Sequence, residues 1–247
     1  LNGYRTSQIA DLVGVHPNTV RLYEKLELIP KPERKPNGYR VFTDFHLAQL
    51  QLVRTAFKVE ILQNNLRKKA IQIIKASASG DFDRAIGMAK SYHEQILAEQ
   101  KSAKEAVDIV EQLLSGSEAE SQNLCLTRKE TSERLKISMD ALRNWEMNGL
   151  LTVKRKRNGY RVYTDEDMRR LKIIRCLRMA NYSLSSILRM LNEISSNPEV
   201  NIREVIDTPM ENDDIISVCD KLMTSLEHAE KNSGSILAQL EKIQKQF

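Results

Sequence analysis

The 247-residue sequence carries 29% charged but only 5% aromatic side chains, a mix that favours long helices with solvated faces over a sheet-rich protein. Its net charge of +5 is unevenly spread: residues 1–80 carry +7 and 126–182 carry +8, whereas 81–120 carry −5 and 211–247 carry −3. Two basic blocks alternating with two acidic ones point to two polyanion-binding units joined by solvated helices.

Cys125, Cys176 and Cys219 are odd in number and widely spaced, so neither a disulfide framework nor a zinc site is signalled, and a reducing cytoplasm fits. No apolar run approaches membrane-spanning length and no signal peptide is visible, so a cytoplasmic, nucleoid-associated protein with no membrane partner is expected. The chain starts at Leu1 rather than Met, so a few N-terminal residues are expected to be missing. His16, His46, His93 and His228 are isolated, and no glycine-rich phosphate loop occurs. An enzyme is the least expected class, and no cofactor or metal is expected.

In chain order, Thr6–Val13 reads as a short helix with Ile9, Ala10 and Val13 on one face and Thr6 or Ser7 as its cap. Gly14 breaks it. His16 sits near the next cap and Pro17 suits a first helical position, opening a second helix to Leu26 that buries Val20 and Leu22 or Tyr23. Two short helices around a glycine turn make a helix-turn-helix. Ile29–Arg34 is extended, Asn37-Gly38 is a hairpin signal requiring positive φ at both residues, and Tyr39–Phe42 alternates as a return strand. The module is therefore winged.

Asn37–Asp44 (NGYRVFTD) returns as Asn158–Asp165 (NGYRVYTD), with one Phe-to-Tyr exchange. A repeat of this length makes the protein one module used twice. Thr43 or Asp44 caps a third helix with Leu47, Leu50, Val53 and Phe57 inward, and Leu62–Ile74 gives a fourth carrying Arg67, Lys68 and Lys69. Asp83–Leu114 is one long helix whose seam reads Ala85, Ala89, Tyr92, Ile96, Ala103, Ala106, Val110 and Leu113, interrupted by Glu99. Residues 115–125 are a linker that can return the chain from the far end of that helix.

The second module begins at Thr127. Thr131, Leu135 and Ile137 replay the first helix, and Ser138 caps the second. Arg143 takes the place of Arg21, Trp145 of Tyr23 and Glu146 of Glu24, while Gly149 stands opposite Glu27. Lys154, Arg155, Lys156 and Arg157 load the wing with charge suited to phosphate. Pro198 and Pro209 punctuate a looser stretch. A second long helix over 211–247 carries Ile215, Cys219, Leu222, Leu226, Ala229, Ser233, Ile236, Leu240, Ile243 and Phe247 on its seam, with Cys219 as a small core residue.

His16–Ile29 (HPNTVRLYEKLELI) followed by Asn37–Asp44 resembles the MerR family of bacterial transcription regulators over most of residues 4–75, and the second module resembles it again. The resemblance implies that the second helix of each module enters the major groove while the wing meets the backbone. Arg21 and Tyr23 fall where the family's Arg and Tyr meet DNA, and Tyr39 and Arg40 where its wing grips phosphate. Glu27 replaces the family's glycine. In the second copy the corresponding residues are Arg143, Trp145, Tyr160 and Arg161.

The family dimerises through antiparallel long helices, and this chain holds both. Laid antiparallel, Ala85 meets Ile243, Ala89 meets Leu240, Ile96 meets Ser233, Ala103 meets Leu226 and Ala106 meets Leu222, small against large. The expected architecture is mainly α: winged helix-turn-helix domains at 1–80 and 126–200 joined by coiled-coil helices at 81–114 and 211–247 as a single-chain pseudo-dimer. A domain-swapped homodimer is the alternative. His16, Asn18, Thr19 and Arg21 face Ser138, Asp140, Ala141 and Arg143, so an asymmetric operator is expected.

The resemblance implies double-stranded DNA as partner, RNA polymerase indirectly, and distortion of the DNA between promoter elements. It leaves any small-molecule effector unassigned. The alternative reading is an architectural or recombination accessory factor without promoter control.

Overall fold

The computed structural model describes residues 3–58, 65–115, 124–157, 159–197, 200–208 and 221–247. The expected helix start at Leu62, most of the linker (116–123), Asn158, Pro198, Pro209, Ile215 and Cys219 lie outside the described residues. The chain divides into two compact units, Leu1–Ala98 with Ser225–Phe247, and Glu99–Thr224.

In the first unit, α1 (Thr6–Val13) and α2 (Pro17–Lys25) are followed by an antiparallel pair, β1 (Glu33–Arg34) and β2 (Arg40–Val41), in register Arg34↔Arg40. The α1 cap is Arg5, whose backbone N–H donates to the Gln8 side chain at 2.8 Å, rather than Thr6 or Ser7. Leu22 is exposed and Tyr23 half-buried, which settles the choice between them, and Ile9, Ala10 and Val20 are fully buried. Tyr4 adds a third edge by exchanging backbone bonds with Phe42 (2.8 and 3.0 Å). The wing turn differs from the expected one: Gly38 has φ 81° but Asn37 does not take positive φ. The Gly38 N–H closes back on the Lys35 carbonyl at 2.8 Å, and the Lys35 N–H meets the Tyr39 carbonyl at 2.9 Å. With Pro36 first inside the turn, this is a three-residue loop ending in a left-handed glycine.

Thr43 is the N-cap of α3 (Asp44–Ala56), and α4 spans Leu66–Ala78. Of the four residues expected inward on α3, Leu50 and Val53 are buried and Leu47 and Phe57 half-buried, while His46, Gln49, Leu52 and Ala56 are buried besides. Gln49 is fully buried yet satisfied: its amide nitrogen donates to the carbonyls of Leu28 (3.0 Å) and Ile74 (2.9 Å), and its oxygen accepts from the Ser77 hydroxyl (2.8 Å). A buried amide is tolerable only when its groups are paired, and here it ties α3 to α4 and to the segment after α2.

The long helix α5 runs Phe82–Ser115 and α11 runs Leu222–Gln246. Within the first unit, Asp83 accepts from Gln244 (2.7 Å) and His93 meets the Ser233 hydroxyl (2.7 Å), so the bonds climb one helix while descending the other. Ala85, Ala89, Tyr92 and Ile96 are buried, as are Ala229, Ile236, Leu240 and Ile243.

The second unit repeats the module: α6 (Arg128–Leu135), α7 (Met139–Met147), β3 (Lys154–Arg155), β4 (Arg161–Val162), α8 (Asp165–Met179) and α9 (Leu184–Ser196), then α10 (Ile202–Asp207). Thr127, Ser138, Thr164 and Ser183 cap their helices through side-chain oxygens. Leu126 bridges Tyr163 as Tyr4 bridges Phe42. In place of the buried glutamine, Arg170 Nε donates to the Leu150 carbonyl at 2.6 Å. The α5 seam here buries Gln100, Ala103, Ala106, Val107 and Val110, while Leu113, expected on the seam, is 38% exposed. Phe247, expected to end the other seam, is 45% exposed.

Candidate nucleic-acid interface

Each unit presents a short second helix beside a wing. On α2 the exposed stripe is Asn18, Arg21, Leu22 and Lys25, with Thr19 half-buried. The His16 ring caps the helix by accepting from the Asn18 N–H (3.2 Å), and Asn18 accepts from the Arg21 guanidinium (3.0 Å). Arg21 is thereby pre-oriented on the exposed face, where a guanidinium can donate in pairs to guanine or phosphate. Tyr23 turns inward, its ring edge-on to Phe57 at 5.9 Å.

On α7 the matching stripe is Asp140, Arg143, Asn144 and Met147, and Ser138 caps by accepting from the Ala141 N–H at 3.0 Å. Trp145, expected on the reading surface, is only 6% exposed, so its ring belongs to the core. The α2 stripe thus carries two cations and the α7 stripe one cation and one anion.

At the wing tips Tyr39 is 70% and Tyr160 71% exposed, and Lys154, Arg155, Lys156 and Arg157 are all exposed. Arg40 and Arg161, expected to grip phosphate, turn back on the second helix of their own module. Arg40 Nε donates to Glu24 at 2.7 Å, and Arg161 Nε to Glu146 at 2.5 Å. These pairs tie each hairpin to its helix. Sequence reasoning placed the arginines but not this role, because the partner glutamates look like solvated helix residues.

The second pair is reinforced. The Tyr163 hydroxyl donates to Glu146 at 2.8 Å and Arg128 approaches it at 3.3 Å. The Phe-to-Tyr exchange within the repeat supplies that hydroxyl; Phe42 has none. Burial alone would raise the Glu146 carboxyl, but hydrogen bonds from Tyr163 and Arg161 with the charge of both arginines hold it below its ordinary range. Burial pushes the Tyr163 phenol upward.

Glu27 has φ 58°, in the left-handed region, and Gly149 takes the same place at φ 76°. In turn, Gly14 (φ 65°) is matched by Lys136 (φ 52°). Both units need a left-handed residue after each of their first two helices, and each supplies glycine at one of the two. Among the described residues no group of His, Cys, Asp and Glu could hold a metal ion, and no helix is long and apolar enough to cross a membrane.

Comparison with known proteins identifies both copies. A family model described as MerR HTH family regulatory protein matches residues 126–194, and one described as MerR family regulatory protein matches residues 5–42. The chain is 30% identical over 104 residues to the HTH-type transcriptional regulator CueR of Salmonella typhi, covering 37% of this chain and 75% of that protein. It is 34% identical over 65 residues to the mercuric resistance operon regulatory protein of Bacillus cereus, covering 26% of this chain and 49% of the relative. The same identity and length relate it to the HTH-type transcriptional regulator ZntR of Escherichia coli (strain K12), covering 46% of that protein. The chain thus spans about half the length of the last two relatives. No solved structure matches it significantly.

Proposed function

The chain belongs to the MerR family of regulatory proteins, and on that premise we propose that it is a DNA-binding transcriptional regulator, not an enzyme, whose two unequal reading heads recognise an asymmetric operator. The observation that carries this is the pairing of like frameworks with unlike faces. Both units hold a wing against a reading helix through the same Arg–Glu contact, yet the exposed stripes are Asn18, Arg21, Leu22 and Lys25 in one and Asp140, Arg143, Asn144 and Met147 in the other. Phosphate contacts from wing and helix ends position the protein, and base edges met by the stripes specify sequence. A homodimer would mirror its symmetry in a palindrome; two divergent copies need not.

The opposed bonds Asp83–Gln244 and His93–Ser233 support an antiparallel pairing of the long helices within one chain, which would make the protein a pseudo-dimer. Two DNA-binding modules in one chain could bend and untwist a promoter spacer, a distortion costing about 1–6 kcal/mol that phosphate contacts would have to offset. The test is footprinting on the DNA upstream of its own gene, followed by exchange of residues 16–25 with 138–147. The expected result is a site whose half-sites differ and whose preferred order reverses on exchange. Indifference to the exchange, or two chains per site by mass, would overturn the proposal.

A further inference from the structure

Continuing the register of the repeat, Gln51, Arg54 and Thr55 of α3 and Lys58 just beyond its end align with Lys172, Arg175, Cys176 and Met179 of α8. In each unit these four residues line a groove against a long helix: α11 in the first unit, the last turns of α5 in the second. The two grooves have diverged in chemistry. In the first, the long helix is hydrogen-bonded across: Asn232 donates to the Thr55 carbonyl and Gln239 to the Thr55 hydroxyl, both at 2.8 Å.

In the second, the Cys176 thiol points at the Ala106 carbonyl at 3.7 Å, and the groove, about 410 Å3, has an apolar floor of Ala106, Ile109, Leu113, Met179 and Ala180 with Ser102, Glu105, Lys172 and Arg175 around it. Ile109, Leu113 and Met179 stand 45%, 38% and 69% exposed there. Apolar side chains gathered at one concave place, rather than scattered, mark a binding surface. Lys172 and Arg175 border the trough, and neither forms an ion pair among the described residues. Glu105 on the opposite wall is 3.8 Å from Lys101 of its own helix. The volume is that of a small-molecule site, and the unmatched charge at its edge is cationic.

We propose that this groove binds a small amphipathic anion, an acyl or aryl carboxylate whose apolar body lies on Ile109, Leu113 and Met179 and whose carboxylate meets Lys172 and Arg175. A ligand there would span α5 and the third helix of the second module, so its binding would stiffen that module's attachment to the long helix. The inference stands apart from the DNA-binding reading, and its test uses no DNA.

Decanoate, below its micellar concentration, is titrated into the full chain by calorimetry, with decyltrimethylammonium as the cation of matched length. Saturable one-to-one binding of decanoate, at least tenfold tighter than the cation, is expected. The double variant Lys172→Gln/Arg175→Gln should weaken decanoate at least tenfold, and Met179→Glu should abolish binding. Lys172 and Met179 are exposed, so folding should be spared, and a melting curve checks this. Decanoate should also slow alkylation of Cys176, read by peptide mass mapping, while leaving the exposed Cys125 unaffected. Absence of saturable binding, equal binding of the cation, or undiminished affinity in the double variant would each overturn the proposal.

Discussion

Replacing Glu146 by glutamine should loosen the second wing far more than the same change at Glu24 loosens the first. Glu146 is 11% exposed and receives Arg161 Nε at 2.5 Å, the Tyr163 hydroxyl at 2.8 Å and Arg128 at 3.3 Å. Glu24, 13% exposed, receives Arg40 at 2.7 Å, and Phe42 offers it no hydroxyl. A hydrogen bond to a charged group contributes about 1.5–3 kcal/mol, and breaking a buried pair costs about 3–5 kcal/mol. Arg161 and Arg128 are a little over a quarter exposed and can rehydrate, and the amide oxygen keeps one donor. The expected losses are therefore about 2–3 kcal/mol for Glu146→Gln and about 1 kcal/mol for Glu24→Gln. Urea unfolding followed by hydrogen exchange at the wing amides measures both. The folded Glu146 carboxyl is depressed, so its contribution is complete above the ordinary carboxylate range and disappears as pH falls through its folded value. Equal losses at the two sites, or wing exchange rates unchanged by Glu146→Gln, would refute the wing-pinning argument.

Glu27→Gly should stabilise the first unit by about 0.5–1 kcal/mol. Relief of a left-handed L-residue is worth about 1–2 kcal/mol, partly offset by the freer unfolded chain and by an exposed ion pair with Lys75 at 3.2 Å. Gly149→Ala should cost about 1 kcal/mol through backbone strain alone, since the added carbon meets Leu188 only at 4.0 Å; thermal melts of both variants decide. Burial lowers the His46 pKa, and its Nδ1 accepts from the Thr43 N–H at 3.1 Å, so the folded state favours the neutral ring. The unfolded chain then takes up the proton first, and stability should fall as pH drops from about 6.5 through the lowered folded value, by at most about 1.4 kcal/mol per pH unit. His46→Gln should flatten that dependence. Neutralising Lys154, Arg155, Lys156 and Arg157 together should reduce the salt dependence of DNA binding, by up to about 0.9 in log–log slope for each phosphate that the wing ceases to neutralise, as read by fluorescence anisotropy across a salt series.

Local signals are legible because their causes are local. Gly14, the His16-Pro17 start and the Thr–Asp starts of α3 and α8 place the end of α1 and the starts of α2, α3 and α8 to within a residue or two, since caps and left-handed turns depend on neighbours in sequence. The wing pairing is legible from the repeat, but its turn is not: Pro36 ahead of Asn37 shifts the left-handed position to Gly38 alone. Contacts across the fold leave little trace. Gln49 and Arg170 sit on helix faces where a polar residue reads as solvated, yet both reach carbonyls more than a dozen residues away. Tyr4 meets Phe42 through a single bridge, too short to show alternation. Alignment with a DNA-contacting tyrosine puts Trp145 on the reading surface, and its larger apolar ring is buried instead.

The internal repeat separates framework positions from those of the proposed reading surface. Positions whose role survives in both copies bind the module to itself: Glu24 and Glu146 take the wing arginine, and the Leu28 and Leu150 carbonyls take a long polar side chain from the third helix. The chemistry of that side chain can change from amide to guanidinium, because only the donor matters. Positions that diverge while staying exposed behave otherwise. Asn18 becomes Asp140, Leu22 becomes Asn144 and Lys25 becomes Met147, changes in charge and polarity along one helix face that the core does not require. Arg21 and Arg143 alone keep identity on that face. If the faces served only as solvated surface, exchanging them should alter neither stability nor binding; if they read DNA, stability should hold while preference moves. Melting curves and half-site affinities measured on the same exchanged chain distinguish the two.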